Sequence, residues 1–295
     1  MRLLAIAKRV VTYLVLGVWL ALVVFPMVWL AYSSLKSTED VFQDTWALPF
    51  TLHREGAGEE RQWKLSASLH WGNFSTAWRE AKIGKYFLNS VIVTAGSLLG
   101  VTLIGSMAAY VLGRFRFRGN RPIFYTFLAG MMIPAQLTVV PLFFVLDFLQ
   151  LLDTRSGLVC VYIAFSLPFT VFVLTSFFST LPQELADAAA IDGCSEFQVF
   201  WRVMLPLAKP GLVTVTIFNF LGIWNEYLFA LVFTFRDHAR TLPLGLANLM
   251  MVEHYQNDWG ALFAGMAIVM LPTLIVYILL QDRLTRGITL GALKG

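Results

Sequence analysis

The chain has 295 residues, 58% of them hydrophobic and 14% charged, with a net charge of +4. Soluble domains carry about 25% charged residues, so this composition excludes an ordinary soluble domain. A nucleic-acid reading of the positive charge goes with it, since no soluble domain is left to carry a basic face.

The apolar residues come in six long runs, at about 10–32, 86–112, 122–148, 157–181, 207–235 and 260–281. Each exceeds the roughly 18 residues that mark a transmembrane helix. Strands of a membrane barrel would be about 10 residues long and alternate in polarity. The expected fold is therefore an all-α membrane protein with six transmembrane helices, forming a single membrane domain over 1–295.

Arg2, Lys8 and Arg9 precede the first run, as in a signal peptide. The run is longer than a signal's apolar core, and no small-x-small cleavage site follows near Tyr32, so it is read as a retained span. An outer loop at 33–85 follows, with a polar stretch (HREGAGEERQWK, 53–64) that suggests an extended or hairpin excursion. The second run carries Gly96, Gly100 and Gly105 among other small residues, which allow close helix approach in lipid.

The loop 113–121 holds Arg114, Arg116, Arg118 and Arg121 and no acid. By the positive-inside rule this favours a cytoplasmic N-terminus and C-terminus. Pro134, Pro141, Pro168 and Pro272 lie inside the later runs. Such breaks persist in membranes where protein or a water-filled cavity satisfies the freed backbone groups.

The segment 182–206 is too polar to span and too helix-prone for a plain loop. Pro182 suits a helix start, and Asp192-Gly193 is turn chemistry. Ser195 and Gln198 have capping-box spacing. Phe197, Phe200, Trp201 and Met204 recur at i, i+3, i+4 and i+7 as one apolar stripe, and Pro206 is expected to end the helix. The spacing predicts two short helices, roughly at a right angle, offering an apolar face to a docking partner or to the lipid surface. A second outer loop is expected at 236–259, with Tyr255 and Trp259 as interface anchors.

Span five contains Asn219, Gly222 and Glu226 on one helical face. Glu226 lies 19 residues beyond Leu207, roughly 28 Å along a helix and so near the outer interface. It suits either a helix-capping or snorkelling carboxylate or a polar stripe along a solute path. Cys160 and Cys194 suggest neither a disulfide nor a metal site. The four histidines (His53, His70, His238 and His254) are too scattered for a ligand set.

The segment Asp187-Ala188-Ala189, three residues, Gly193, nine residues, Val203-Met204-Leu205-Pro206 resembles the cytoplasmic-loop motif of ABC importer permeases. Asp187 stands where that motif has Glu. Pro26-Met27-Val28-Trp29, Pro134-Ala135-Gln136, Trp224-Asn225-Glu226-Tyr227 and Gly287 to Gly295 resemble the smaller permease of maltose-type carbohydrate importers. Tyr86 to Ser90 and Val215 to Tyr227 look most like N-acetylglucosamine or chitobiose permeases.

That resemblance implies a type I importer permease fold and a paralogous permease partner. It also implies an ATPase dimer, an extracytoplasmic solute-binding protein and a carbohydrate substrate. The coupling loop would be 182–206, with Asp187, Ala188, Ala189, Asp192, Gly193, Phe200, Leu205 and Pro206 as its motif residues. The tail 282–295 would reach the ATPases through Gly291 and Lys294. No Gly-x-x-x-x-Gly-Lys-[Ser/Thr] loop occurs, so ATP and magnesium are expected on partner subunits and no cofactor or metal on this chain. The competing class is a stand-alone secondary transporter or channel, which would need paired intramembrane acids and bases. A membrane-embedded enzyme would need clustered polar groups on facing spans, and the sequence offers none.

Overall fold

A computed structural model describes the backbone of residues 2–55, 62–67, 69–256 and 258–292. Its side chains are described outside 1–5, 7, 50–68, 252–257 and 281–295. In chain order the elements are α1 (Arg2–Ser33), α2 (Thr38–Gln43), the strands β1 (Phe50–Glu55) and β2 (Gln62–Ala67), and α3 (Gly72–Ser75) with a π turn (Thr76–Glu80). Then follow α4 (Ile83–Arg114), α5 (Asn120–Met131), α6 (Ala135–Phe148), α7 (Arg155–Thr180) and α8 (Gln183–Ile191). Next are α9 (Glu196–Val199), a π turn (Phe200–Met204) and α10 (Leu205–Leu207). The last are α11 (Lys209–Trp224), α12 (Leu228–Phe233), α13 (Leu242–Gln256) and α14 (Trp259–Ala292).

Among the described residues, four helices are long and apolar enough to cross a membrane: Lys8–Ser33, Ile83–Arg114, Arg155–Thr180 and Trp259–Leu280. Counting each of two bent pairs as one span, Asn120–Met131 with Ala135–Phe148 and Glu196–Leu207 with Lys209–Trp224, brings the number up to six.

Several expectations are corrected here. The run 122–148 is not one straight span, because α5 and α6 meet at 104°. Pro134 is the N-cap of α6 in an extended conformation; it donates no backbone hydrogen bond and disfavours helix in the residue before it. The run 207–235 is broken at 225–227 into α11 and α12. The stretch 236–259, expected as loop, contains the 15-residue α13. The outer excursion within 50–67 is, as expected, a hairpin: its two strands pair antiparallel, with Phe50 opposite Ala67 and Glu55 opposite Gln62.

The chain groups into two compact units: residues 1–84 with 245–271, and residues 85–244 with 272–295. In the first, the chain after α1 is held by buried polar contacts. The Lys36 ammonium donates to the carbonyls of Asp44 (2.9 Å) and Thr45 (3.3 Å). The Asn73 amide donates to those of Ser34 and Lys36. These bonds give the buried Lys36 ammonium and the Asn73 amide partners for their N–H groups.

The second unit is built around α7. The glycines of α4 meet it: Ile163 seats its Cδ1 over Gly100, and a Cβ on Gly105 would come within 2.7 Å of Thr170. On α11, a Cβ at Gly211 would sit 2.7 Å from the Phe177 ring. Small residues thus admit large partners where helices pack in lipid.

At one end of this unit, Asp153 ties the α6–α7 connection to the chain after α12. Its carboxylate accepts from the backbone N–H of Phe235 (2.8 Å) and Arg236 (3.0 Å). Burial pushes this carboxyl up, but those two bonds and the His238 and Arg236 charges outweigh it and hold it below the usual aspartate value.

Candidate functional site

Two regions of the second unit gather the residues singled out in the sequence. The first is the segment after α7. Its approach is held by Arg114, at the end of α4, whose guanidinium donates to the carbonyls of Leu181 (2.7 Å) and Pro182 (3.4 Å). A cation there answers the negative C-terminal end of α7. Arg114 carried no positional expectation beyond its charge. With Arg116, Arg118, Arg121 and Gln183 it lines an open concavity of about 1030 Å³.

Pro182 is the N-cap of α8, and Gly193 makes the turn to α9 with φ of +84°. That conformation costs an L-residue roughly 1–2 kcal/mol and glycine almost nothing. Ser195 and Gln198 form the reciprocal capping box at the start of α9. Asp187 accepts from the Gln183 amide one turn away, at 3.0 Å.

The predicted apolar stripe divides. Phe197 is 64% exposed, whereas Phe200 is 4% exposed and Met204 is fully buried. Phe200 packs in a cluster with Tyr110, Leu174, Phe178, Ala189 and Val215, its ring centroid 5.1 Å from that of Tyr110. Its assignment to an exposed docking face is therefore corrected. Phe197 and Phe200 are joined by ordinary helical bonding, so the split comes from what packs against each of them: the cluster covers Phe200 and Met204 and leaves Phe197 outside it. Ile191, 86% exposed, lies near Phe197 in the chain and is also uncovered.

Pro206 does not end the helix. The chain runs through α10 and bends by 74° at Ala208, before α11. Gly291 falls in the last turn of α14; its surroundings, and Lys294 altogether, lie outside the described residues.

The second region is an open cleft of about 360 Å³ between α7 and α11. From α7 come Tyr162, Phe165, Ser166 and Phe169, which recur at helical spacing. From α11 and its end come Phe218, Asn219, Gly222, Ile223 and Glu226, and Phe229 of α12 closes the set. The three residues of the predicted polar stripe thus share one cleft.

Two of them also bridge helices. The Asn219 amide donates to the Thr170 hydroxyl at 2.8 Å. The Glu226 carboxylate accepts from the Tyr162 hydroxyl (2.7 Å) and from the backbone N–H of Phe229 (2.8 Å) and Ala230 (3.2 Å). It is a capping carboxylate at the positive end of α12 and lines the cleft as well. No basic side chain pairs with it among the described residues, unlike the acid–base pairs expected of an ion-coupled transporter.

The α7 lining had no place in the sequence reading. Its signal was a tyrosine and a serine set among phenylalanines at i, i+3, i+4 and i+7 within an apolar span.

Residues 100–290 match the family model described as the binding-protein-dependent transport system inner membrane component. A diacetylchitobiose uptake system permease protein of Streptomyces coelicolor is 41% identical over 284 residues, covering 96% of this chain and 88% of that protein. A trehalose transport system permease protein of Mycobacterium tuberculosis is 32% identical over 270 residues, covering 92% of each. Among solved structures, a chain of a bacterial ABC transporter that imports the acidic polysaccharide alginate superposes with a TM-score of 0.74. It covers 94% of this chain and 96% of that one at 21% identity, a likeness of fold.

Proposed function

The chain belongs to the family of binding-protein-dependent transport inner-membrane components, which are multi-pass permease subunits and not enzymes, and on that footing we propose that it imports a carbohydrate. The observation that carries the substrate class is the α7–α11 cleft, where aromatic rings surround an amide, a hydroxyl and a carboxylate. Aromatic walls with a few convergent polar groups suit a ligand that has apolar C–H faces and many hydroxyls. The diacetylchitobiose and trehalose systems of its relatives point the same way.

In this reading Asn219, Gly222 and Glu226 border the solute path. The segment from Asp187, Ala188 and Ala189 through Asp192 and Gly193 to Leu205 and Pro206 receives an ATPase dimer. Ile191 and Phe197 are the exposed apolar contacts, and Phe200 anchors the segment from within. Gly291 and Lys294 extend the contact through the tail. ATP and magnesium reside on the ATPases, and a paralogous permease completes the pathway. A solute-binding protein delivers the sugar to the outer side. Both termini face the cytoplasm, as the four arginines of 113–121 favour.

The test is uptake by cells in which the gene is deleted and then restored. Deletion is expected to abolish import of radiolabelled diacetylchitobiose or trehalose, and the restored gene to return it. Unchanged uptake of both sugars, with loss of a non-carbohydrate solute instead, would overturn the reading.

A further inference from the structure

We infer that the α7–α11 cleft is a binding subsite for a single neutral pyranose ring, contributed by this chain, and that the absence of a side chain at Gly222 keeps it open. This deepens the carbohydrate reading above and rests on it.

The walls are two aromatic pairs. Phe169 and Phe218 meet edge to face at 5.7 Å, and Phe165 and Phe229 lie 4.6 Å apart. Aromatic faces are negative and attract the positive C–H groups of a sugar face. Between the pairs, the cleft presents open hydrogen-bonding capacity. Asn219 is 6% exposed and spends one N–H on Thr170. Its Oδ1 and second N–H have no partner among the described residues, and neither does the Ser166 hydroxyl. These atoms line an open cleft, where the hydroxyls of a sugar ring can take the place of solvent as donors and acceptors.

The volume of about 360 Å³ lies at the low end of small-molecule sites, roughly 300–1,000 Å³. It suits one ring and not a chain of them. The charge is selective as well. Glu226 is the only ionisable carboxylate lining the cleft, and no lysine, arginine or histidine lines it. A uronate carboxylate would be repelled there, whereas hydroxyl and N-acetyl groups would not.

Gly222 is an exposed residue of the cleft lining. A Cβ built on it meets nothing within 4 Å, so a side chain there would occupy open space beside the cleft without disturbing the packing of α11.

The experiment uses the assembled transporter in cells, with labelled diacetylchitobiose and trehalose as neutral probes and an alginate oligosaccharide as the acidic one. Wild type is expected to import a neutral probe at least tenfold faster than the acidic one. Gly222→Ala should keep half or more of that uptake, and Gly222→Phe less than a tenth, at equal amounts of protein in the membrane. A Gly222→Cys variant separates blockage from misfolding. It should transport until alkylated by a bulky hydrophilic maleimide and then stop, while the wild type, carrying Cys160 and Cys194, is unaffected. Wild-type uptake by Gly222→Phe, continued uptake by the alkylated cysteine variant, or equal import of the acidic probe refutes the subsite alone. Import of no saccharide by the wild type refutes the carbohydrate reading and the subsite with it.

Discussion

Phe200 and Phe197 lie three residues apart and carry the same side chain, yet they do opposite work. Phe200 is enclosed by Tyr110 and Phe178, with ring centroids at 5.1 and 6.4 Å, while Phe197 faces outward. Truncating a packed phenylalanine costs about 3–5 kcal/mol, and a carboxylate in its place adds an unpaired buried charge. Phe200→Asp is therefore expected to remove folded protein from the membrane. Phe197→Asp should change stability by no more than about 0.5 kcal/mol and instead reduce ATPase stimulation. Membrane abundance and stimulated ATPase activity, measured on both variants, check this. Normal abundance of Phe200→Asp would show that its enclosure contributes little.

At the scale of elements, the informative feature is the break between α11 and α12. An apolar run long enough to span is interrupted because Glu226 turns back to cap α12 and accepts from Tyr162 on α7. Interhelical hydrogen bonds in membranes average about 0.6 kcal/mol, and a lost cap costs about 1 kcal/mol. Tyr162→Phe is thus expected to destabilise the purified complex by roughly 0.6 kcal/mol, and Glu226→Ala by about 1–2 kcal/mol. The double variant should cost less than the sum, since the two residues share one bond. Unfolding curves of the three variants measure the coupling, and strict additivity would mean that the bond contributes nothing.

For the whole molecule, the proposed division of labour rests on the exposed Ile191 and Phe197, which sit on the segment proposed to receive the ATPases. Purified alone in liposomes, the chain is expected to take up no sugar with or without ATP. Uptake should appear only once ATPases, a second permease and a binding protein are added. Sugar-specific uptake by the lone chain would place it among secondary transporters.

The division between sequence and tertiary structure follows the range of the forces involved. Membrane residence, the approximate helix positions, the capping box at Ser195 and the glycine turn at Gly193 were legible in the sequence. Each depends on solvent preference or on backbone chemistry within a few residues. The glycines of α4 and the one-sided placement of Asn219, Gly222 and Glu226 were legible as patterns, but what faced them was not. Ile163 and Thr170 over the glycines, the Tyr162–Glu226 bond and the aromatic walls on α7 join residues about 50 to 65 positions apart, which no local period encodes. The same limit explains the stripe at 197–204. Helical spacing puts Phe197 and Phe200 on neighbouring positions of one face, but it does not say how far along that face the packing extends. Packing against α4 and α7 alone decided which phenylalanine faces in and which faces out.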